Sequence, residues 1–173
     1  MTTVSNDRAD LLVGRFFRLF GAIETELNEA IRKLFELTPD SAEMVCANID
    51  FVRKIKIVRS ALADQDKDER LRHKKKIEAV FSEILRINND RLIAAHASFK
   101  PNENDGVVFY RVTADKDLKR TSPTWTEKYC EKLFSDMEDI RGELQVLAQS
   151  IAPYHPSLDF SDRRNSQYIT LLF

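Results

Sequence analysis

Glycine is scarce in this chain, with only 4 among 173 residues, where an average protein of this length carries roughly 12. The sequence contains neither G-x-G-x-x-G nor G-x-x-x-x-G-K-[ST]. Those glycine-rich loops bring the backbone close to nucleotide phosphates, so their absence argues against the common nucleotide-binding folds. Few glycines combined with 32% charged residues are typical of a helical protein.

Cysteines and long apolar runs are equally rare. Cys46 and Cys130 have no C-x-x-C partner and accompany no secretory signal, so we expect a reduced, cytoplasmic protein. No stretch approaches the ~18 apolar residues of a membrane-spanning helix. The longest early run, residues 11–23, is interrupted by Arg15 and Arg18, and we therefore expect no membrane partner.

The charges nearly cancel, because 27 Lys and Arg face 28 Asp and Glu for a net charge of -1. No field over the whole surface would attract nucleic acid or an anionic membrane, so any basic site must be local. His73, His96 and His155 share no ligand spacing. We therefore expect no metal site and no other cofactor.

Apolar periodicity predicts most of the helices. Apolar residues recur at three- and four-residue steps over about 5–37, which predicts a long first helix with a wide buried face. Thr38 can cap a second helix that begins at Pro39 and continues through an apolar stripe at residues 51–62. A third helix is predicted over about 77–99. The apolar residues of a closing helix, which reaches about Ile151, repeat at four and three as in bundle packing or a dimer contact.

Residue types change between the third and the closing helix. Residues 100–106 interrupt the helix, residues 107–112 favour a strand, and residues 118–120 favour a return strand. Thr124 and Glu127 fit a capping box at the start of the closing helix. A small β-hairpin is thus expected between two helices.

The whole pattern predicts a mainly α protein: an up-down bundle of four to five helices with a small β-hairpin inserted at about 106–120. We expect one domain over residues 1–151 and an irregular tail over residues 152–173.

Several polar residues fall where the helical pattern calls for leucine. On a helical wheel of the third helix, Asn88 and Arg91 lie inside the apolar arc and His96 lies at its edge. A guanidinium stays charged, so Arg91 needs a carboxylate, carbonyls, water or an anionic ligand to offset several kcal/mol of desolvation. Glu24 projects into the apolar face of the first helix and offers a carboxylate, for which Lys54 is another candidate. Internal ion pairing and ligand binding both remain open.

The segment from Asn88 to His96, Asn-Asn-Asp-Arg-Leu-Ile-Ala-Ala-His, resembles the R-x4-6-H signature of the HEPN superfamily of small α-helical proteins. The order of parts is also similar: a long amphipathic helix, a second helix, the motif helix, an insertion and a closing helix. The resemblance covers about residues 7–151.

This resemblance implies a homodimeric bundle whose catalytic members are metal-independent ribonucleases. Arg91 would then hold the scissile phosphate, and His96 would act as general acid or base in attack by the RNA 2′-OH. The chemistry suits these residues, because a guanidinium binds phosphate bidentately and imidazole titrates near neutral pH. Catalytic members usually carry a polar residue directly after the arginine, whereas this chain has Leu92. Asn88 and Asp90 are the candidates to replace it.

The spacing itself has a geometric consequence. Residues five apart on a regular helix diverge by about 140°, so Arg91 and His96 of one chain cannot easily meet at one phosphate. Either the helix distorts between them, or two chains combine their pairs across a two-fold axis.

The leading hypothesis is a HEPN-like dimer that acts on RNA or binds it. Such a dimer could be an endoribonuclease of toxin-antitoxin or defence type, and it could have a small cognate protein partner. Tyr110 and Trp125 are available for base stacking, although Trp125 also suits hydrophobic cover near a helix start. The alternatives are a noncatalytic protein-interaction module and a module that binds nucleotides or small anions. Whether the protein is an enzyme stays open.

Overall fold

The computed structural model describes residues 6–65, 70–102, 106–114 and 118–151. Within these ranges the chain is mainly helical, which confirms the predicted class of a helical bundle with a small inserted β element. The helices are α1 (Asn6–Leu34), α2 (Pro39–Ala47), α3 (Phe51–Gln65), α4 (Arg70–His96) and α5 (Glu127–Ser150). The strands are β1 (Ser98–Pro101), β2 (Val107–Ala114), β3 (Leu118–Thr121) and β4 (Thr124–Trp125). The predicted tail, with His155, and the side chain of His73 lie outside the described part.

The predicted second helix is in fact two helices, α2 and α3. The break falls where side chains compete with the helical backbone. The Asn48 amide donates to the carbonyl of Met44 at 2.8 Å, and the Asp50 carboxylate accepts from the backbone N–H of Arg53 at 2.9 Å. Asp50 thereby satisfies a free N–H in the first turn of α3, as an N-cap does.

Two of the helices begin at a threonine N-cap. Thr38 accepts a hydrogen bond from the backbone N–H of Ser41 at 3.3 Å, which confirms the predicted cap. The capping residue of α5 is Thr126, which accepts from the backbone N–H of Tyr129 at 3.1 Å. The prediction that Thr124 caps this helix is wrong, because the backbone of Thr124 is held in strand β4.

Cross-helix contacts establish how α1 and α5 run. Arg8 near the start of α1 pairs with Glu127 at the start of α5. Further along, the Gln145 amide donates to Glu26 at 2.7 Å. The first and last helices are therefore parallel, as they are in an up-down bundle of five helices.

Helix α4 runs the opposite way. Lys76 near its beginning pairs with Glu143 near the end of α5 at 3.3 Å, whereas Asp90 near its end bonds to Tyr129 at the start of α5. Helix α4 is thus antiparallel to both α1 and α5. None of the helices in the described ranges has both the length and the apolar content that crossing a bilayer requires.

The strands form a small antiparallel sheet centred on β2. Strand β1 pairs with the first half of β2, β4 pairs with that same half, and β3 pairs with the second half. The predicted hairpin is confirmed as β2 and β3. The sequence missed β1. The third helix was predicted to reach residue 99, but it ends at His96, and Ser98 and Phe99 belong to β1. Lys100 was assigned to a connection, although it lies opposite Val108 in the ladder. Pro101 is tolerated there because it ends an edge strand.

Trp125 packs between the sheet and the helical bundle. Its side chain is only 3% exposed, and its ring centroid lies 5.0 Å from that of Phe16 in α1 and 4.6 Å from that of Phe109 in β2. Large buried aromatic rings contribute strongly to a core. Trp125 is therefore hydrophobic cover and is closed to a stacking base.

The glycines allow a test of this junction between the sheet and the rest of the fold. A Cβ on Gly106 would lie 2.2 Å from the carbonyl oxygen of Trp125, whereas a Cβ on Gly21, on the exposed side of α1, meets nothing within 4 Å. We expect Gly106→Ala to destabilise the protein by about 1–3 kcal/mol and Gly21→Ala to stabilise it by about 0.5–1 kcal/mol. Thermal unfolding followed by circular dichroism measures both. Equal stability of Gly106→Ala and the wild type would contradict the close approach of β2 to Trp125.

Candidate functional site

Three polar residues of α4 lie at depths that fit the helical wheel: Asn88 is buried, Arg91 is half-buried, and His96 is exposed at the last position of the helix. Asp90 is buried as well, which the wheel did not predict. The helix is continuous from Arg70 to His96. It therefore provides no distortion that would bring Arg91 and His96 together within one chain.

Lys54 forms an ion pair with the carboxylate of Glu24. The lysine is 4% exposed and its Nζ lies 2.7 Å from Oε1 of Glu24. One turn earlier the rings of Phe20 and Phe51 pack with centroids 4.5 Å apart, which keeps α1 beside the start of α3. Because a buried ammonium needs a counter-charge, this ion pair is a structural contact, and the carboxylate is committed to Lys54.

Arg91 is left with an aromatic neighbour. Its Cζ lies 6.0 Å from the centroid of the Phe20 ring. Within the described part of the chain, its guanidinium has neither a carboxylate at ion-pair distance nor a hydrogen-bond acceptor. A contact between a cation and a ring is worth about 0.5–1 kcal/mol near the surface and leaves the charge unneutralised. The donors of Arg91 are thus available to an anion.

Asn88 lies one turn before Arg91, and residues three apart on a helix share a face. Although Asn88 is buried, its amide forms no side-chain hydrogen bond with the described residues. An amide and a guanidinium with unused donors therefore stand side by side on α4. Together they can bind a planar or tetrahedral oxyanion.

Asp90 belongs to a different cluster, between α4 and α5. The Tyr129 hydroxyl donates to its Oδ2 at 2.9 Å, and Nη1 of Arg86 lies 3.4 Å from the same oxygen. Arg86 in turn donates to Glu83 at 2.6 Å. Burial raises the pKa of the Asp90 carboxyl, and burial together with Asp90 raises the pKa of Tyr129 to about 12. No ion pair joins this carboxylate to Arg91.

Metal binding and cysteine nucleophiles find little support among the described residues. They contain no group of three or more His, Cys, Asp or Glu side chains arranged to hold a metal ion. Both cysteines are buried free thiols, and burial raises the pKa of Cys130 to about 11 and also raises that of Cys46. A thiol kept protonated is a poor nucleophile.

Sequence reasoning found the position of Arg91 and both members of the Lys54 pair, but it missed two contacts. It did not foresee that Phe20 would lie against Arg91, or that Tyr129 would bind Asp90. Both contacts join residues far apart in the chain, and helical periodicity reports only which face of a helix is buried. No signal in a single sequence could have identified these partners.

Comparison of the chain with known protein families, with curated proteins and with solved structures finds no match. The likeness to the HEPN superfamily therefore depends on the motif and the order of helices alone. The family assignment and the cytoplasmic location stay predictions.

The pair of Lys54 and Glu24 can be tested by removing either charge. We expect Glu24→Gln to lower the free energy of unfolding by about 1–3 kcal/mol, because it strands a buried ammonium. Lys54→Met keeps the aliphatic volume without the charge and should cost less. Urea unfolding at neutral pH measures both variants. A larger loss in Lys54→Met than in Glu24→Gln would show that the ion pair itself stabilises the protein.

A second prediction concerns the pH dependence that Asp90 imposes. A carboxyl whose pKa is raised by folding stabilises the protein in acid, and this contribution is lost as the pH rises through the raised pKa. Asp90→Asn stays neutral and can still accept from Tyr129, so it should be as stable as the wild type at pH 7, or more stable. The difference should shrink as the pH falls toward the ordinary value of 3.8. Thermal unfolding between pH 3 and pH 8 checks this, and a clear loss at pH 7 would mean that bonds to the ionised carboxylate outweigh its burial.

Proposed function

We propose that this chain is a HEPN-like homodimer that binds RNA through Arg91 and cleaves it without a metal, with His96 transferring the proton. One observation carries the proposal: Arg91 is half-buried, its Cζ lies 6.0 Å from the centroid of the Phe20 ring, and it has no acidic partner among the described residues. A cation in a partly desolvated position attracts a phosphate more strongly than one in open water. Its fork of N–H groups matches two phosphate oxygens.

The amide of Asn88 supports the same proposal. It lies on the face of Arg91, and its donors form no hydrogen bond with the part of the chain that the structure describes. In the proposed complex it donates to a phosphate oxygen or to a ribose hydroxyl beside the guanidinium. This gives Asn88 the supporting position for which Asp90 was also a candidate, since Asp90 is engaged by Tyr129.

His96 provides the acid-base chemistry. Its side chain is exposed at the end of α4 and can take the proton of a ribose 2′-OH while that oxygen attacks phosphorus. The bond from phosphorus to the 5′ oxygen breaks, and the imidazolium formed at His96 returns the proton to the departing oxygen. The products are a 2′,3′-cyclic phosphate and a 5′-hydroxyl end.

The geometry of α4 makes the dimer part of the mechanism. Arg91 and His96 diverge by about 140° on an undistorted helix, so one chain alone presents them in different directions. We infer that two chains related by a two-fold axis supply an arginine and a histidine to each phosphate.

A noncatalytic module is the second candidate, favoured by the internal use of Asp90 and by Leu92 after Arg91. In that case the Arg91 face binds RNA, a nucleotide or a carboxylate of a small cognate protein, and no bond is broken. The two candidates share the binding contact and differ in the need for His96.

Cleavage and binding assays on labelled single-stranded RNA in EDTA separate these candidates. We expect His96→Ala to retain binding and to lose cleavage by about 10²–10⁴-fold. Arg91→Ala should weaken binding by about 10-fold or more, because it removes a charge-assisted contact to phosphate. Arg53→Ala, which removes an exposed arginine on α3, is the matched control and should change neither result.

Each outcome decides between the candidates. RNA binding that depends on Arg91 without any cleavage supports the noncatalytic module. Binding by Arg91→Ala at the affinity of the wild type would reject Arg91 as the phosphate contact. A protein that cleaves RNA while sedimenting as a monomer would reject the two-chain site.

A further inference from the structure

The outer face of the small sheet exposes an aromatic ring and an aliphatic side chain. Side chains alternate along β2, so Val107 and Phe109 point into the core while Tyr110 and Val112 point outward. Tyr110 is 46% exposed and Val112 is 61% exposed. Both side chains thus stay open to solvent although they stand on the central strand of the sheet.

Two cations flank this apolar pair. The register places Lys100 of β1 opposite Val108 and Arg120 of β3 opposite Val112, and directly opposed residues share a face. The Nζ of Lys100 lies 5.9 Å from the centroid of the Tyr110 ring. Among the described residues, the side chains on this face contain no carboxylate; they are Ser98, Lys100, Val108, Tyr110, Val112, Arg120 and Thr124. The outer sheet face, defined by these residues, is therefore aromatic and positive.

This face begins directly after the motif helix. His96 ends α4, and Ser98, two residues later, pairs with Tyr110. Two extended residues span at most about 7 Å, and paired strands lie about 5 Å apart. The backbones of His96 and Tyr110 are thus within about 12 Å of each other, a distance that a few nucleotides of one strand cover.

We propose that the outer sheet face is a subsite for single-stranded RNA, in which an unpaired base stacks on Tyr110 while Lys100 and Arg120 contact the flanking phosphates. The proposal rests on the RNA function proposed above and extends it to a class of substrate. Base stacking on an aromatic side chain tolerates any base, so this subsite gives affinity and direction without reading sequence. A paired base cannot offer its face to the ring, which selects single strands.

Binding of a 2′-O-methyl oligoribonucleotide to the full chain tests the subsite by fluorescence anisotropy, since this probe lacks the hydroxyl needed for cleavage. We expect Tyr110→Ala to weaken binding by about 5- to 150-fold and Tyr110→Phe to bind as the wild type does. An abasic probe of equal length should bind weakly and should not respond to Tyr110→Ala, because its stacking partner is missing.

The sheet offers a matched pair of cations as a control. Arg120 and Lys119 are adjacent and exposed, but the pleat directs them to opposite faces, since Lys119 lies opposite Thr113. Arg120→Ala should weaken binding and lower the salt dependence by about one phosphate contact, whereas Lys119→Ala should do neither. The only tryptophan, Trp125, packs on Phe109, so unchanged emission shows that each variant keeps the sheet.

The variants also distinguish this proposal from the one on which it rests. If Arg91→Ala weakens binding and Tyr110→Ala does not, the subsite is rejected and the RNA function stands. Equal effects of Lys119→Ala and Arg120→Ala would likewise reject it, because binding would then reflect general charge. If the wild type does not bind the probe, both proposals fail, and binding of an acidic peptide to the same face would identify it as a protein-interaction surface.

Discussion

The buried ion pair between Lys54 and Glu24 joins α1 to α3, one turn from the ring of Phe20 that Arg91 approaches. A lysine that is almost completely buried must have a counter-charge, and Glu24 supplies it across the contact between α1 and α3. Arg91 lies near the ring of Phe20, one turn earlier in α1, and has no acid at ion-pair distance among the described residues. Within that part of the chain, the core thus provides a counter-charge for Lys54 and none for Arg91.

The polar residues of α4 are divided between two surfaces of the helix. Asp90 turns toward α5, where Tyr129 and Arg86 satisfy it, and its contribution is to the packing of the two helices. Asn88 and Arg91 turn toward another side, where the described residues provide no hydrogen-bond partner for their side-chain donors. One short run of sequence therefore supplies both a structural cluster and the two residues proposed to bind an anion, because adjacent helical residues point about 100° apart.

The sheet extends this arrangement beyond the bundle. Trp125 and Phe109 secure its inner face against α1, which frees the outer face for Tyr110 and its neighbouring cations. Since β1 follows α4 after a single residue, Ala97, the position of His96 relative to that face is set by the backbone alone. The divergence of Arg91 and His96 by about 140°, in contrast, is what the proposed two-chain site would reconcile.

Patterns of neighbouring residues predicted much of this fold. Apolar periodicity predicted α1, α4 and α5, and turn residues predicted the position of the hairpin. The helical wheel predicted the depths of Asn88, Arg91 and His96. These properties depend on neighbours within one or two turns, which a sequence displays. The break between α2 and α3, the strands β1 and β4 and the cap at Thr126 depended on hydrogen bonds that competed with equally plausible local choices. Tertiary structure alone decided that Glu24 pairs with Lys54, that Phe20 lies under Arg91 and that Tyr129 binds Asp90. Each joins helices distant in the chain, and their meeting is governed by packing of the whole core, which no local pattern encodes.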